Sequence, residues 1–186
     1  MVQRRHHYES AFEDYLRHHR IPYLAVDEAR RSLLPPDKAR AASALKSFDL
    51  VIYTATLNLL VDVKGRRAPG TGTRRMENWV TRRDLTDLHA WEDLFGTGFQ
   101  AAFVFIYWCH EQPPDGIWAE LFSHRGRWYA PRLILRRHYA RHHTPRSPRW
   151  QTVQLPRATF TRLSRPFTPS PPSTTRHRTP MNPVHR

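Results

Sequence analysis

Three charged side chains lie inside two apolar segments of the chain, where charges are uncommon. Asp49 lies at the start of the segment 48–54, and Asp62 and Lys64 lie near the end of the segment 57–65. Segments rich in Val, Ile and Leu that flank a short break are typical of a buried β-hairpin. Two carboxylates on one hairpin could hold a divalent metal ion, and an ammonium beside them could contact a phosphate ester on which that ion acts.

The register of the hairpin decides whether these side chains meet. If Ala55 and Thr56 form the turn, Asp49 lies opposite Asp62, with the Cβ atoms about 5 Å apart. Lys64 then lies on the same face as Asp62, because side chains alternate along a strand. Ala-Thr lacks the Gly or Asn that two-residue turns favour, so a longer loop with a shifted register is the alternative.

Opposed carboxylates on a half-buried hairpin repel each other unless a cation lies between them. Mg²⁺ or Mn²⁺ would remove that repulsion, because both ions favour hard oxygen ligands. Mg²⁺ is usually held by one or two carboxylates, with water and substrate phosphate completing the shell. We therefore predict Mg²⁺ or Mn²⁺ as the cofactor, with Asp49 and Asp62 as ligands.

The same residues resemble the PD-(D/E)xK nuclease superfamily, whose simpler members include the archaeal Holliday-junction resolvases. Asp49 matches the first motif acid, although Phe48 replaces the usual Pro, and residues 62–64 match the second motif as Asp-Val-Lys. Residues 7–13, His-Tyr-Glu-Ser-Ala-Phe-Glu, also resemble the signature of a bacterial family named HYExAFE. That second likeness runs through much of residues 1–163.

The resemblance implies a restriction-endonuclease-like core and a divalent-metal-dependent endonuclease that hydrolyses phosphodiester bonds in DNA. The residues implied in catalysis are Asp49, Asp62, Lys64 and Glu13, and the implied metal ligands are Asp49, Asp62, Glu13 and the carbonyl of Val63. Lys64 would position the attacking water or offset charge in the transition state. The alternative is a noncatalytic nucleic-acid-binding or interaction protein on a nuclease-like scaffold.

Two parts of this assignment leave alternatives open. Glu9 is the alternative to Glu13 as the helix carboxylate, and Glu13 could instead form an ion pair with Arg17 one helical turn later. Many members of the superfamily also use a polar residue, often Gln, from the helix that follows the Lys. The nearby polar residues in this chain are Glu77, Asn78 and Thr81.

Periodicity around these motifs predicts a single α/β domain with a mixed central β-sheet flanked by helices. Residues 8–19 and 77–95 have the apolar spacing of amphipathic helices. The continuous apolar run 99–109 is typical of a central strand that is covered on both faces. The remaining predicted elements are a strand at 23–26, a hairpin within 118–135, a strand at 152–155 and a short helix at 156–163. The hairpin adds a C-terminal β extension to the core.

The chain carries a formal net charge of +14 over 186 residues, which favours nucleic acid, and DNA first, as the partner. Only Lys38, Lys46 and Lys64 are lysines, so 27 of the 30 basic residues are Arg. Arginine suits bidentate contact with phosphate, although a GC-rich genome produces the same bias. A solvated charged surface is the alternative. The arginines predicted to bind nucleic acid lie in a loop at 65–75 and in a basic segment at 136–149: Arg66, Arg67, Arg74, Arg75, Arg136, Arg137, Arg141, Arg146 and Arg149.

Composition also predicts the domain limits and the setting of the protein. The nuclease-like domain is predicted over residues 1–163, and residues 164–186, rich in Pro, Ser, Thr and Arg, are predicted to be a disordered tail. The single cysteine, Cys109, excludes an intramolecular disulfide and a Cys-x-x-Cys zinc site. Without an apolar run of about 18 residues or a signal peptide, we expect a cytoplasmic protein with no membrane partner. Resolvase-like nucleases often dimerise, so the resemblance also allows a homodimer.

Overall fold

The computed structural model describes residues 3–26, 45–54, 57–68, 76–109 and 120–167, including their side chains from residue 7 onward. The helices are α1 (Gln3–His18), α2 (Arg82–Phe95), α3 (Arg136–His142) and α4 (Arg157–Leu163). The strands are β1 (Tyr23–Ala25), β2 (Leu50–Ile52), β3 (Asn58–Arg67), β4 (Val80–Thr81), β5 (Phe99–Cys109), β6 (Phe122–His124), β7 (Arg127–Leu135), β8 (Thr144–Ser147), β9 (Thr152–Gln154) and β10 (Arg165–Pro166).

A seven-stranded mixed sheet forms the centre of the domain in the order β1-β2-β3-β5-β7-β10, and β6 also pairs with β7. β3 and β5 run parallel, whereas the other pairs in this sheet are antiparallel. Residues 101–107 of β5 are all buried, because both faces of the sheet are covered. The predicted fold class, a single α/β domain with a mixed central sheet flanked by helices, is confirmed.

Different helices cover the two faces of this sheet. α1 packs on one face, where Phe12 lies in a buried cluster with Val61. The other helices pack on the opposite face, where Leu88 of α2 lies in a second cluster with Leu60. Asp62 shares a face with Leu60, because side chains alternate along β3, and it therefore points toward α2.

The register predicted for the β2–β3 hairpin is confirmed over the residues that pair. Leu50 lies opposite Val61 and Ile52 lies opposite Leu59, as the predicted two-residue turn requires. The turn itself, at residues 55 and 56, lies outside the described residues. Asp49 lies one residue before β2, at the end of the hairpin where the motif residues of β3 also lie.

β3 is longer than predicted, because it continues through Gly65 and Arg66 to Arg67. The prediction of a loop from residue 65 was therefore wrong for these three residues, which pair with residues 106–108 of β5. β3 continues to pair with β5 beyond its last pair with β2, so pairing with β5 outweighs the local preference of the Gly-Arg-Arg sequence for a loop. Arg74 and Arg75 lie outside the described residues.

A separate three-stranded sheet has the order β4-β9-β8 and includes the strand predicted at 152–155. The helix predicted from residue 77 begins later, at Arg82, because residues 80–81 pair with β9 and Thr81 caps the helix. The hairpin predicted within 118–135 as a C-terminal extension is present as β6 and β7, but both strands belong to the central sheet. The separate sheet, which contains β9, packs on the α2 side of the domain through Val153.

The folded domain extends slightly beyond the boundary predicted at residue 163. β10 pairs with β7, and Phe167 is buried against α1. Residues 168–186, most of the predicted tail, lie outside the described residues, so the disorder of the tail stays a prediction. Within the described ranges, no helix has the length and apolar character needed to cross a membrane.

Candidate active site

Two hydrogen bonds to β3 hold Asp49 at the end of the hairpin. Its amide donates to the carbonyl of Val61 at 2.9 Å, and its Oδ2 accepts from the amide of Val63 at 2.6 Å. The amide and carbonyl of one strand residue point to the same side of the strand, so the Val63 carbonyl also points toward the Asp49 side. The fold therefore places the Asp49 carboxylate beside residues 62–64, as the predicted register requires.

The charge of Asp49 is poorly compensated by its neighbours. Burial of the carboxyl group, together with the carboxylates of Asp62 and Glu9, raises the pKa of Asp49 from 3.8 to about 7. The amide of Val63 and the ammonium of Lys64 lower this pKa but do not outweigh those effects. A buried carboxyl group whose ionisation is opposed by neighbouring carboxylates is a typical feature of a functional site.

Lys64 lies between two carboxylates on the face of the sheet that α2 covers. Its Nζ is 2.6 Å from Oδ2 of Asp62 and 3.3 Å from Oδ2 of Asp84. The three side chains are buried, with exposed fractions of 11% for Lys64, 9% for Asp62 and 4% for Asp84. Because separating buried partners leaves unpaired charges behind, these contacts fix the ammonium in place.

Asp84 is positioned by the first turn of α2. Its amide donates to Oγ1 of Thr81 at 3.0 Å, and its Oδ2 accepts from the amide of Thr81 at 2.8 Å, which together form a capping box. Burial alone would raise the pKa of Asp84, but Lys64 and Lys46 outweigh burial and hold the pKa well below its usual range. Asp84 therefore remains a carboxylate at neutral pH and balances the lysines.

Lys46 brings a second ammonium to Asp84. Its Nζ contacts Oδ1 of Asp84, and its backbone is fixed to α2. The Lys46 amide donates to Oδ2 of Asp87 at 2.9 Å, and its carbonyl accepts from the indole of Trp91 at 2.9 Å. Burial lowers the pKa of Lys46, but the carboxylates of Asp62 and Asp84 outweigh burial and raise it above the usual value.

Sequence reasoning missed both Asp84 and Lys46. The spacing Thr81-x-x-Asp84 is a capping-box pattern, which could have placed Asp84 in the first turn of a helix. Composition could have singled out Lys46, because it is one of three lysines in a chain with 27 arginines. Two of those three lysines meet at Asp84.

The polar residues that lie near the helix after Lys64 in the sequence make contacts away from Lys64. The side-chain amide of Asn78 donates to the carbonyl of Leu155 and accepts from its amide. Glu77 lies 3.5 Å from Arg146, and Thr81 is the N-cap of α2. Within the described ranges, the polar group of α2 that reaches Lys64 is Asp84.

The two helix glutamates of α1 differ in their effect on Asp49. The charge of Glu9 acts on Asp49, whereas Glu13 accepts from the hydroxyl of Tyr23 at 3.0 Å. Glu13 also lies 3.6 Å from Arg17, which is the ion pair that the sequence allowed as an alternative. Both glutamates line one open cleft with Asp49, so the helix carboxylate with the stronger influence on the site is Glu9.

The donor set fits a hard divalent cation. Lys46 and Lys64 balance Asp62 and Asp84 in charge, which leaves Asp49 as a further acid beside them. The available donors are carboxylate oxygens and the Val63 carbonyl, and Mg²⁺ needs only one or two protein carboxylates. Within the described residues, no three His, Cys, Asp or Glu side chains are grouped so as to hold a metal ion. A Mg²⁺ or Mn²⁺ site here would therefore depend on the carbonyl, on water and on substrate oxygens.

Three of the arginines predicted to bind nucleic acid are engaged within the fold. Arg66 is half-buried and donates to two backbone carbonyls. Arg136 lies 3.1 Å from Glu92, and Arg146 lies 3.5 Å from Glu77. These side chains have structural partners, so a phosphate would have to compete with the contacts they already make.

The other described arginines of the prediction are exposed at the surface. Arg67 lies over the ring of Trp108, with its Cζ 5.0 Å from the ring centroid. Arg137 and Arg141 lie on α3, and Arg149 lies in the turn between β8 and β9. These four guanidinium groups are the ones most accessible to a nucleic-acid backbone.

No protein-family model and no curated protein matches the chain. Among solved structures, the chain is similar to the 1.6 Å structure of Hjc, a Holliday junction resolvase from the archaeal hyperthermophile Archaeoglobus fulgidus. The match covers 83% of this chain and 90% of that chain, with 12% sequence identity and a TM-score of 0.48. A likeness at this level assigns no activity and no residue roles, so the resemblance to the two families stays a prediction.

Proposed function

We propose that the protein is a divalent-metal-dependent nuclease that hydrolyses phosphodiester bonds in DNA. The observation that supports this best is the hydrogen bond from the Val63 amide to Asp49, which brings Asp49 beside Asp62 and Lys64. Carboxylate oxygens for a hard cation and an ammonium for the phosphate are the groups that such hydrolysis needs. The net charge of +14 supports a polyanionic substrate.

Mg²⁺ or Mn²⁺ would be held by Asp49, Asp62 and the Val63 carbonyl. Glu9 or Glu13 of α1 would contact the same ion directly or through a water molecule. When bound, the ion would polarise the phosphate and lower the pKa of the attacking water. The hairpin fixes Asp49, and Lys64 fixes Asp62, so the chain holds both carboxylates in position before substrate arrives. Such positioning reduces the entropy that is lost in reaching the transition state.

Lys64 would stabilise the negative charge that develops on the phosphate as water attacks phosphorus and the bond to the leaving oxygen breaks. Asp84 holds the Lys64 ammonium from the side of α2, at 3.3 Å. Because Asp84 is a second partner of Lys64, Asp62 could share its charge with a metal ion without leaving Lys64 unpaired. Asp84 is in this sense a positioning residue for Lys64.

A noncatalytic nucleic-acid-binding protein on the same scaffold is the second candidate. It is favoured by the ion pairs of Lys64 with Asp62 and Asp84, which would also serve to join α2 to the sheet. It is favoured as well by the absence, within the described residues, of a group of three side chains suited to a metal. Dependence on a metal ion separates the two candidates, because a binder retains DNA in chelator and forms no product with either ion.

Cleavage of labelled single-stranded, duplex, flap and four-way-junction DNAs in Mg²⁺, Mn²⁺ or chelator tests the nuclease assignment. We expect products with either ion and none in chelator. Asp62→Ala and Lys64→Ala should each cleave about 100-fold more slowly or worse and still bind DNA. Asp93→Ala, which removes an exposed carboxylate of α2, is the matched control and should keep both properties.

Two results would contradict this assignment. Binding without product across all substrates and both ions would support the noncatalytic candidate. Unchanged cleavage in Asp62→Ala or Lys64→Ala would show that catalysis, if present, lies elsewhere in the chain.

A further inference from the structure

Trp150 is the most exposed large hydrophobic side chain in the described part of the chain, at 69%. It lies in the turn between β8 and β9, where the guanidinium of Arg149 lies over the ring with its Cζ 5.4 Å from the centroid. An indole this exposed contributes little to the hydrophobic core, so its packing does not explain its presence. Exposed Trp side chains beside Arg are frequent in binding surfaces.

The turn that carries Trp150 is held by several hydrogen bonds. The Trp150 amide donates to Oγ of Ser147 at 3.4 Å, and the Gln151 amide donates to the carbonyl of Pro148 at 3.2 Å. The carbonyl of Gln151 accepts from the amide of Arg82 at 2.8 Å, which ties the turn to the start of α2. A platform that is already fixed loses little conformational entropy when a ligand binds.

The contact with Arg82 also relates the turn to the candidate active site. Arg82 and Asp84 belong to the same first turn of α2, and Asp84 lies 3.3 Å from Lys64. The Trp150 turn and Lys64 are therefore both at the N-terminal end of α2.

The segment that carries Trp150 is basic. Residues 136–151 contain five Arg, three His and no Asp or Glu. Arg137, Arg141 and Arg149 are exposed, and no carboxylate of the described residues forms an ion pair with them. Exposed aromatic rings beside exposed guanidinium groups are typical of surfaces that bind single-stranded nucleic acid, since bases stack on the ring and phosphates contact the arginines.

We propose that Trp150 is a stacking platform for an unpaired base of the nucleic acid, with Arg149 contacting the adjoining phosphate. This assignment rests on the proposed function for the class of ligand, and it adds a substrate preference. DNA that carries unpaired bases next to a duplex can use the platform, whereas the bases of a blunt duplex are already stacked on one another. The expected substrates are therefore duplex ends with overhangs, and flaps, rather than continuous duplex.

Equilibrium binding in chelator tests this preference, because no metal-dependent cleavage can interfere. The probes are a fluorescein-labelled blunt duplex and the same duplex with a single-stranded overhang of about ten nucleotides, within the usual range of single-strand sites. Trp150→Ala should weaken binding to the overhang probe about tenfold, because it removes the ring on which one base stacks. Its affinity for the blunt duplex should change less than about twofold, because the blunt duplex offers no unpaired base for stacking.

Two further variants serve as controls. Trp150→Phe keeps an aromatic ring and should retain most of the affinity for the overhang probe. Phe95→Ala removes another exposed ring, 38% exposed, at the opposite end of α2, and should bind both probes like the wild type. A fluorescent 2-aminopurine at the first unpaired position should be quenched by the wild type but not by Trp150→Ala.

The outcomes separate this assignment from the nuclease activity. Unchanged affinity of Trp150→Ala for the overhang probe, or equal weakening for both probes, would overturn the stacking role even if the protein cleaves DNA. The expected preference without cleavage in any metal would support the platform and contradict the nuclease. If the wild type binds neither probe and Trp150→Ala converts a dimer to a monomer in sedimentation, the ring is a protein contact and the platform is refuted.

Discussion

Oδ2 of Asp49 accepts a hydrogen bond from the amide of Val63 at 2.6 Å, across the end of the β2–β3 hairpin. This contact joins the two halves of the predicted motif and points the Val63 carbonyl toward the same side. It also holds the carboxylate where burial and Asp62 oppose its ionisation. When ionised, the Asp49 carboxylate therefore lowers the stability of the fold. A divalent cation would relieve its repulsion with the neighbouring carboxylates.

Asp49→Asn should stabilise the protein at pH 8 but much less at pH 5. The pKa of Asp49 rises from 3.8 to about 7 on folding, so the folded state holds a proton that the unfolded state releases. Stability therefore falls as pH rises from about 4 to 7, and the ionised group costs about 2–4 kcal/mol at pH 8. Urea unfolding at both pH values measures this difference.

Asp93→Asn is the control for that measurement, because Asp93 is an exposed carboxylate of α2. It should change the free energy of unfolding by less than about 0.5 kcal/mol at either pH. Mg²⁺ should stabilise the wild type at pH 8 and should not stabilise Asp49→Asn. A less stable Asp49→Asn at pH 8 would show that the Asp49 charge is compensated in the fold.

Glu9→Gln should affect the metal requirement more than Glu13→Gln does. Glu9 acts on Asp49 electrostatically, whereas Glu13 is occupied by Tyr23 and Arg17. We expect Glu9→Gln to raise the Mg²⁺ concentration for half-maximal cleavage about tenfold, which corresponds to about 1.4 kcal/mol. Glu13→Gln should shift it less than about twofold. The reverse order would restore Glu13 as the helix carboxylate.

Gly65→Ala should destabilise the protein by about 2 kcal/mol, because the new methyl group overpacks a half-buried contact. A Cβ on Gly65 would lie 2.1 Å from the ring of Tyr8, the residue before Glu9. In a Tyr8→Ala background the same substitution should cost less than about 1 kcal/mol, and urea unfolding of the four proteins measures this coupling. Additive effects would show that the ring of Tyr8 moves aside without cost.

Asp84→Asn should reduce stability at pH 7 by about 2–3 kcal/mol, because it removes the buried charge that balances Lys64 and Lys46. The folded-state pKa of Asp84 lies well below its usual range, so the wild type keeps this stability above about pH 4 and loses it as pH falls further. Unfolding by urea from pH 7 to pH 3 should show the two proteins converging. A constant difference over that range would assign the loss to helix capping instead.

The hairpin and its register were predictable because both depend on local signals. The apolar runs on each side of residues 55–56 favour strands, and a two-residue break leaves one pairing that keeps Leu50 opposite Val61. The shared face of Asp62 and Lys64 follows from the alternation of side chains along any strand.

The rest of the site depends on how separate elements pack, which local signals do not contain. Asp84 reaches Lys64 because α2 packs on the sheet through Leu88. The position and angle of α2 on the sheet do not follow from any spacing in the sequence. Glu9 and Glu13 lie one helical turn apart, so the position of α1 along the sheet decides which one acts on Asp49. The extension of β3 past Gly65 likewise depends on its partner β5.

The most direct test of the nuclease site is the single-turnover cleavage of one labelled branched DNA by the wild type and Asp49→Asn, in Mg²⁺ and in chelator. Asn can keep the hydrogen bond to Val63 and the shape of the side chain, so the comparison isolates the charge. We predict Mg²⁺-dependent product with the wild type, none in chelator, and cleavage about 100-fold slower or worse with Asp49→Asn. Equal cleavage by the two proteins, or cleavage by the wild type that persists in chelator, would contradict a metal-dependent site at Asp49.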